Sequence, residues 1–375
     1  MILPPATLGM LGGGQLGRFF VLAAHEMGYR VVVLDPDANS PAGRIAERHL
    51  VASFDDPDAL DAMAAECAAV STEFENVPAD SLAYLAKFVP VRPSAECVAI
   101  AQNRISEKAF LSDHGFPVGP FAAVHCIDDI EHADPALFPC VLKVSRFGYD
   151  GKGQARVANV AEAKIAFHHF KDEPCVMETL LPLDCEVSCV VARSEEGDVR
   201  AFPVAENSHR HGILDVSVVP ARVSGGLRAA AEEMAAGLAS ELDYVGVLGV
   251  EFFVSAGHLL VNELAPRPHN SAHYTIDACL TNQFEQQVRT LCGLPLGDPR
   301  AHFAAVMVNL LGDLWHGREP DWAMLLAEPR LKLHLYGKHH ARPGRKMGHF
   351  TVVGGDAART LEAALTARRR IGIAD

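Results

Sequence analysis

The segment Gly12-Gly13-Gly14-Gln15-Leu16-Gly17 constrains this chain more than any other. It follows a short apolar run, Thr7–Leu11, and opens a stretch with helical spacing over residues 16–27 that stops at Gly28. Val31-Val32-Val33-Leu34, closed by Asp35-Pro36, comes next as a β-branched run. Helical spacing over 59–67, a strand over 68–72 and a further helix over 79–87 continue the rhythm. Apolar strands alternating with helices predict a parallel α/β layer. The glycine segment fits Gly-x-Gly-x-x-Gly, and Asp35 lies 18 residues beyond Gly17, near the spacing of a ribose-binding acid. A dinucleotide such as NAD is one reading. A turn that lets the helix pack closely and offers its N-terminus to any phosphate is the other.

From Asn103 the texture changes to α+β. The spacing predicts a helix over 106–114 ending at Gly115. Strands over 140–144, 175–178, 186–192 and 199–204 follow, then a helix over 226–242. Residues 246–254 and 258–263 read as two strands joined through Ser255-Ala256-Gly257. Beyond Pro295, strands over 304–310, 332–336 and 348–353 read as a small β-rich final domain. The expected division is 1–102, 103–295 and 296–375, in line with the two or three domains expected of 375 residues.

Composition excludes several classes. Hydrophobic residues at 49% and charged residues at 21% argue against disorder. A formal charge of −14 would repel nucleic-acid phosphates, so no nucleic-acid partner is expected. No apolar run reaches the roughly 20 residues that span a bilayer, so no membrane is expected either. The nine cysteines are scattered with no Cys-x-x-Cys, and the N-terminus lacks signal-peptide character. Reduced thiols in a cytoplasm are the expectation.

Three segments carry chemistry. The apolar run Val141-Leu142-Lys143-Val144 leads into Ser145-Arg146-Phe147-Gly148-Tyr149-Asp150-Gly151-Lys152-Gly153-Gln154. A glycine-rich loop flanked by Lys143 and Lys152 can cradle a polyphosphate or be a solvated hairpin tip. It does not match the P-loop pattern. Glu251 and Glu263 each place one carboxylate within an apolar strand, where a charge must be paired or hold a metal. Two such acids suit Mg²⁺; the alternative is that each points to solvent or pairs with an arginine such as Arg267. Directly after come Arg267, which could hold an anion, and His269 and Asn270, which could orient a reacting group. A late cluster, Lys338, Arg342, Arg345 and Lys346, stands out in an acidic chain; it is either a solvated basic turn or, the favoured reading, an anion site.

Together these segments resemble the ATP-grasp enzymes, and more narrowly the 5-(carboxyamino)imidazole ribonucleotide synthetases of bacterial and fungal purine synthesis. The resemblance rests on residues 12–18, Glu73-Phe74-Glu75-Asn76-Val77-Pro78, residues 148–154 and 262–270, Asn282-Gln283-Phe284-Glu285-Gln286, and residues 342–349. They run nearly end to end and in family order. Ala272 stands where the family has glycine and Tyr274 where it has tryptophan. The implied architecture is a Rossmann-like N-terminal α/β domain, an ATP-grasp domain and a small C-terminal β-rich domain.

The resemblance implies an ATP-dependent ligase. ATP would phosphorylate bicarbonate to carboxyphosphate, and the amine of aminoimidazole ribonucleotide would capture the carboxyl group. For ATP it implies Arg104 and Lys143 on the phosphates, Gly148, Tyr149, Asp150, Gly151, Lys152, Gly153 and Gln154 as a closing lid, and Glu178, Thr179, Leu180 and Leu181 as the hinge reading adenine. Glu186 would meet the ribose, and His209 would also line the nucleotide site. Glu251 and Glu263 would hold Mg²⁺, with Asn262 adjacent to these two glutamates. Arg267 would hold carboxyphosphate, with His269, Asn270, Tyr149 and Asp150 about the imidazole. Gln15 and Leu16 would take the ribonucleotide phosphate at the helix N-terminus, with Lys338, Arg345 and Lys346, while Glu73 would take a substrate hydroxyl or amine. A homodimer is implied as well. The rivals are another ATP-grasp ligase, such as a formate-dependent glycinamide ribonucleotide formyltransferase, an NAD-dependent dehydrogenase built on the first glycine segment, and a binding-only relative.

Overall fold

The computed structural model describes residues 1–146, 148 and 153–373. The first layer is a parallel sheet in the order Arg48–Leu50, Arg30–Leu34, Thr7–Leu11, Ala69–Thr72. Its central strands are buried along nearly their whole length, because helices cover both faces of such a sheet. The helix Gln15–Glu26 follows the first strand directly, so the glycine turn lies at the carboxyl edge of the sheet. That is where ligands collect in open α/β folds.

Two antiparallel sheets follow. A four-stranded sheet runs Phe121–Val124, Cys175–Thr179, Cys140–Val144, Gln154–Val157. A larger sheet runs His258–Ala265, Gly246–Ser255, Cys185–Arg193, Ala205–Arg210, Ile213–Val219, Ala304–Leu311, Lys346–Gly354, Leu331–Leu335. The strands expected to form a small final domain therefore extend the central sheet, through Val216–Val219 pairing with Ala305–Val308. This carries the basic loop after Leu335 towards the rest of the site.

Some expectations shift. The helix expected over 106–114 begins earlier, at Arg104, because the Asn103 side chain accepts from the Ile105 and Ser106 amides and caps it there. The strand expected over 199–204 is only Val199–Ala201. Phe202 makes one more hydrogen bond to Val190, and Pro203 has no N–H with which to continue the ladder. The hairpin Ala205–Arg210/Ile213–Val219, unforeseen in the sequence, turns on His211 and Gly212, both at positive φ.

Candidate active site

The hairpin Gly246–Ser255/His258–Ala265 sets Glu251 opposite Glu263. Directly opposed like charges cost stability, so each carboxylate needs a compensating partner. Glu263 accepts from Arg104 Nη1 at 2.9 Å. Glu251 lies 3.2 Å from His269 Nε2 and accepts from Asn262 Nδ2 at 3.3 Å. Burial alone would raise the Glu251 carboxyl, but the His269 hydrogen bond and nearby His209 outweigh it and hold it at about 2. Arginine pairing is thus realised for Glu263 alone, with Arg104 in place of Arg267, while Glu251 takes His269.

The register shifts after Glu251, so Asn262 and Glu263 both face one residue across the ladder. A bulge re-aims side chains that strict alternation would send to opposite faces. Both consequently line one cavity of about 790 Å³ together with Glu251. Asn262 Oδ1 is buried and has no hydrogen-bond partner among the described residues. Two carboxylates and an orphaned amide oxygen form a hard-oxygen donor set of the kind Mg²⁺ takes.

Helix Arg104–Asp113 faces this hairpin with Arg104, Glu107, Lys108 and Leu111, charged residues at the spacing of an apolar stripe. Glu107 accepts from the Leu264 amide at 2.5 Å, and burial first, then the Glu263 charge, push its carboxyl up to about 8. Lys108, 2% exposed, donates to the Asn262 carbonyl at 2.8 Å and lies 3.2 Å from Glu178 Oε2. Lys143 Nζ lies 2.9 Å from Glu178 Oε1, an ion pair outside hydrogen-bond geometry. Burial raises the Glu178 pKa, but the two lysines outweigh it and keep it below the usual range. The Glu178 carboxylate, expected at the adenine edge, is instead spent on Lys108 and Lys143. Lys143 still lines the cavity.

Other expected nucleotide residues divide. Arg104, Gly148, Gln154, Leu180, Glu186 and His209 line the same cavity, whereas Gly153, Thr179 and Leu181 do not. Glu186 Oε2 is 3.0 Å from His209 Nδ1, so its partner here is that imidazole. Leu181 lies over Gly119. Tyr149, Asp150, Gly151 and Lys152 lie outside the described residues.

The glycine turn answers the dinucleotide question. Asp35 Oδ2 accepts from the Gly13 amide at 2.7 Å and Oδ1 from Asp37 at 2.8 Å. The expected ribose acid is therefore a brace for its own turn. Glu73 accepts from the Gly14 amide at 2.6 Å and the Gly17 amide at 2.7 Å. Burial above all raises its carboxyl pKa. A Cβ on Gly12 would lie 2.3 Å from Glu73 Cγ, one on Gly14 2.4 Å from Glu73 Oε1, and one on Gly13 2.4 Å from Ser40 Oγ. The space a dinucleotide pyrophosphate needs is filled by Glu73 and Ser40. The anion at this helix N-terminus is the chain's own carboxylate. Glu73, expected on a substrate hydroxyl or amine, has both oxygens on the turn. Gly12→Ala, at φ +102° and against Glu73, is expected to destabilise the fold by about 3 kcal/mol or more, read as a lowered Tm.

A second cavity of about 660 Å³ gathers Gln15, Leu16, Glu73, Lys338, Arg342, Arg345 and Lys346. Residues far apart in sequence meet there because the final strands share the central sheet. Lys338 Nζ donates to the Lys346 carbonyl at 2.8 Å and Arg345 Nη1 to the His340 carbonyl at 2.9 Å, which shapes the basic loop. Behind it His334 and His349 stack at 4.6 Å and 23°, and His334 pairs with Asp277 at 2.8 Å. Asp277, His334 and His349 bring possible ligand atoms within 4.8 Å, yet one ion cannot lie in two near-parallel ring planes.

The two cavities share Glu75, Asn76, Arg267, His269, Asn270 and Lys346. Arg267 Nε donates to Glu75 Oε2 at 2.6 Å. Burial would raise the Glu75 pKa, but Arg267 outweighs it and holds the carboxyl at about 2. His269 is fixed by Ser271 Oγ at 2.7 Å and by Gln283, which accepts from its amide at 2.8 Å. Asn270 and Asn309 exchange amide hydrogen bonds at 3.1 and 2.7 Å. Glu107, Lys108 and Gln102 were not singled out in the sequence, and Glu75 was named only within its segment, with no role of its own. The charged stripe of the 104–113 helix is the signal that marks Glu107 and Lys108.

A nucleotide-sized cavity between two antiparallel sheets, walled by paired acids and lysines beside a Rossmann-like layer, defines an ATP-grasp ligase. Family models agree in chain order: a ribonucleotide synthetase pre-ATP-grasp domain over residues 5–102, an ATP-grasp domain over 109–284, and a phosphoribosylaminoimidazole carboxylase C-terminal domain over 305–363. The N5-carboxyaminoimidazole ribonucleotide synthase of Bacillus subtilis is 42% identical over 355 residues, covering 94% of this chain and 93% of that protein. A crystal structure of an N5-carboxyaminoimidazole ribonucleotide synthetase in complex with ADP superposes with a TM-score of 0.93 at 41% identity, over 98% of this chain and 97% of the other. The Aspergillus clavatus enzyme in complex with ADP and 5-aminoimidazole ribonucleotide gives 0.87 at 28% identity, over 98% of each. The chain belongs to the N5-carboxyaminoimidazole ribonucleotide synthase family. Membership replaces the dehydrogenase and formyltransferase alternatives.

Proposed function

We propose that this protein carboxylates 5-aminoimidazole ribonucleotide with bicarbonate and ATP, giving 5-(carboxyamino)imidazole ribonucleotide, ADP and phosphate. The carrying observation is the pair of cavities meeting at Arg267, His269 and Asn270. Bicarbonate oxygen attacks the γ-phosphorus and ADP leaves. The carboxyl carbon of the resulting carboxyphosphate, directly or as CO₂ released in the closed site, is then taken by the exocyclic amine. The new C–N bond replaces the C–O bond to phosphate, and the amine gives up a proton. The chain supplies positioning and charge neutralisation, as in other phosphoryl transfers.

In this reading Arg104 and Lys143 face the ATP phosphates and residues 148–154 exclude water from a hydrolysable intermediate. Glu178 acts by holding Lys143. Glu251, Glu263 and Asn262 would hold Mg²⁺, which neutralises phosphate charge when bound. Arg267 holds the carboxyl-phosphate anion, with His269 and Asn270 beside the imidazole. Gln15, Leu16, Lys338, Arg345 and Lys346 receive the ribonucleotide phosphate. Among the described residues no helix is long and apolar enough to cross a membrane. The cysteines are free, and most are buried. The free cysteines support a reducing cytoplasm as the location, and the family resemblance supports a homodimer, checked by the mass in solution.

A coupled ADP-release assay tests the reaction. Release should require aminoimidazole ribonucleotide and bicarbonate together, and formate should not replace bicarbonate. Release indifferent to bicarbonate overturns the reading. Lys338→Ala and Arg345→Ala should each raise KM for the ribonucleotide about tenfold or more, with KM for ATP within about twofold. The reverse split would remove these residues from the phosphate pocket.

A further inference from the structure

We propose that Glu75 is a positioning residue that, braced by Gln102, aims Arg267 at the carboxyl-phosphate anion and ties its aim to the root of the glycine lid. The inference rests on the reading of Arg267 given above. Glu75 lies on the wall common to both cavities, where a carboxylate repels the anions of the reaction. Its presence there calls for a compensating use, and its contacts supply one.

Arg267 Nε donates to Glu75 Oε2 at 2.6 Å, and its Nη1 donates to the Pro268 carbonyl at 3.2 Å. A guanidinium has five donors in a fixed plane. With those two edges held, its orientation is set, and among the described residues no acceptor takes the Nη2 protons. The outer edge is thus presented for a bidentate anion contact.

Glu75 is itself held from behind. Gln102 Nε2 donates to the Glu75 carbonyl at 2.5 Å and to the Val77 carbonyl at 2.6 Å. Gln102 is 8% exposed, so these bonds are shielded from water. Its Oε1 accepts from Arg146 Nη2 at 3.3 Å. Arg146 follows Ser145, whose carbonyl accepts from the Arg104 amide at 2.9 Å and whose hydroxyl donates to Asn103 at 2.5 Å. Arg146, Gln102, Glu75 and Arg267 form one continuous strut from the start of the lid to the shared wall.

Two accounts of Glu75 predict opposite results. If it aims Arg267, Glu75→Gln keeps the volume but weakens the brace. KM for bicarbonate should then rise and kcat fall, each about tenfold, with KM for ATP within about twofold. If Glu75 only masks Arg267, the same change uncovers a positive charge and KM for bicarbonate falls. Gln102→Leu should leave ADP release within about threefold while carboxylated product per ADP drops to half or less, as misdirected intermediate hydrolyses. Steady-state kinetics with product and ADP counted together, on variants whose Tm is matched to the parent, read all of this. A lower or unchanged bicarbonate KM in Glu75→Gln, or unchanged coupling in Gln102→Leu, overturns the inference while the parent still needs bicarbonate. A parent that releases ADP without bicarbonate overturns the functional reading first and this inference with it.

Discussion

Glu263→Gln is expected to lower ATP turnover at least about a hundredfold while ribonucleotide binding stays within about twofold. The substitution removes one of the two carboxylates that oppose each other across the 246–265 hairpin and unpairs Arg104 from its 2.9 Å partner. Both changes fall in the nucleotide cavity. The second cavity, proposed above for the ribonucleotide, does not have Glu263 in its lining. ADP release measures the first quantity, and calorimetry with the ribonucleotide alone measures the second. Parental turnover would remove Glu263 from the metal role. Loss of ribonucleotide binding would mean that the two cavities are one cooperative site.

The second large effect concerns stability. Glu178→Ala is expected to cost about 3–5 kcal/mol, seen as a lower Tm without nucleotide. The carboxylate lies between Lys108 and Lys143, and Lys108 is 2% exposed. Removing it leaves both ammonium groups without their shared counter-ion, one of them, Lys108, where water cannot reach to compensate. A residue whose side chain served chiefly to read a base would act otherwise, lowering ATP affinity with Tm unchanged. Reduced nucleotide affinity is also expected here, because Lys143 loses its anchor, but it should follow the loss of stability. Lys108→Met, which leaves Glu178 with Lys143, should cost less than Glu178→Ala.

The parallel layer, the acid-bearing hairpin and the basic late loop were legible because each is local. Strand Cys140–Val144 follows from its apolar run alone, and the hairpin from alternation interrupted at Ser255-Ala256-Gly257. Glu251 and Glu263 stood out because a charge in an apolar strand demands a reason. Glu75 did not, since it sits in a short polar connection where a carboxylate needs none until Arg267, 192 residues away, arrives beside it.

The glycine turn shows the division most plainly. Gly12 to Gly17 determined that a strand would pass sharply into a helix with its N-terminal amides exposed, since few other residues permit that backbone. The same six residues suit a dinucleotide or an internal acid equally well. Only the fold decided between them, by bringing Glu73 from the edge of a neighbouring strand onto the Gly14 and Gly17 amides. Residue type and spacing set backbone path and burial, which are short-range matters. Which charge meets which depends on strand order and a one-residue bulge, and those exist only once the chain has closed on itself.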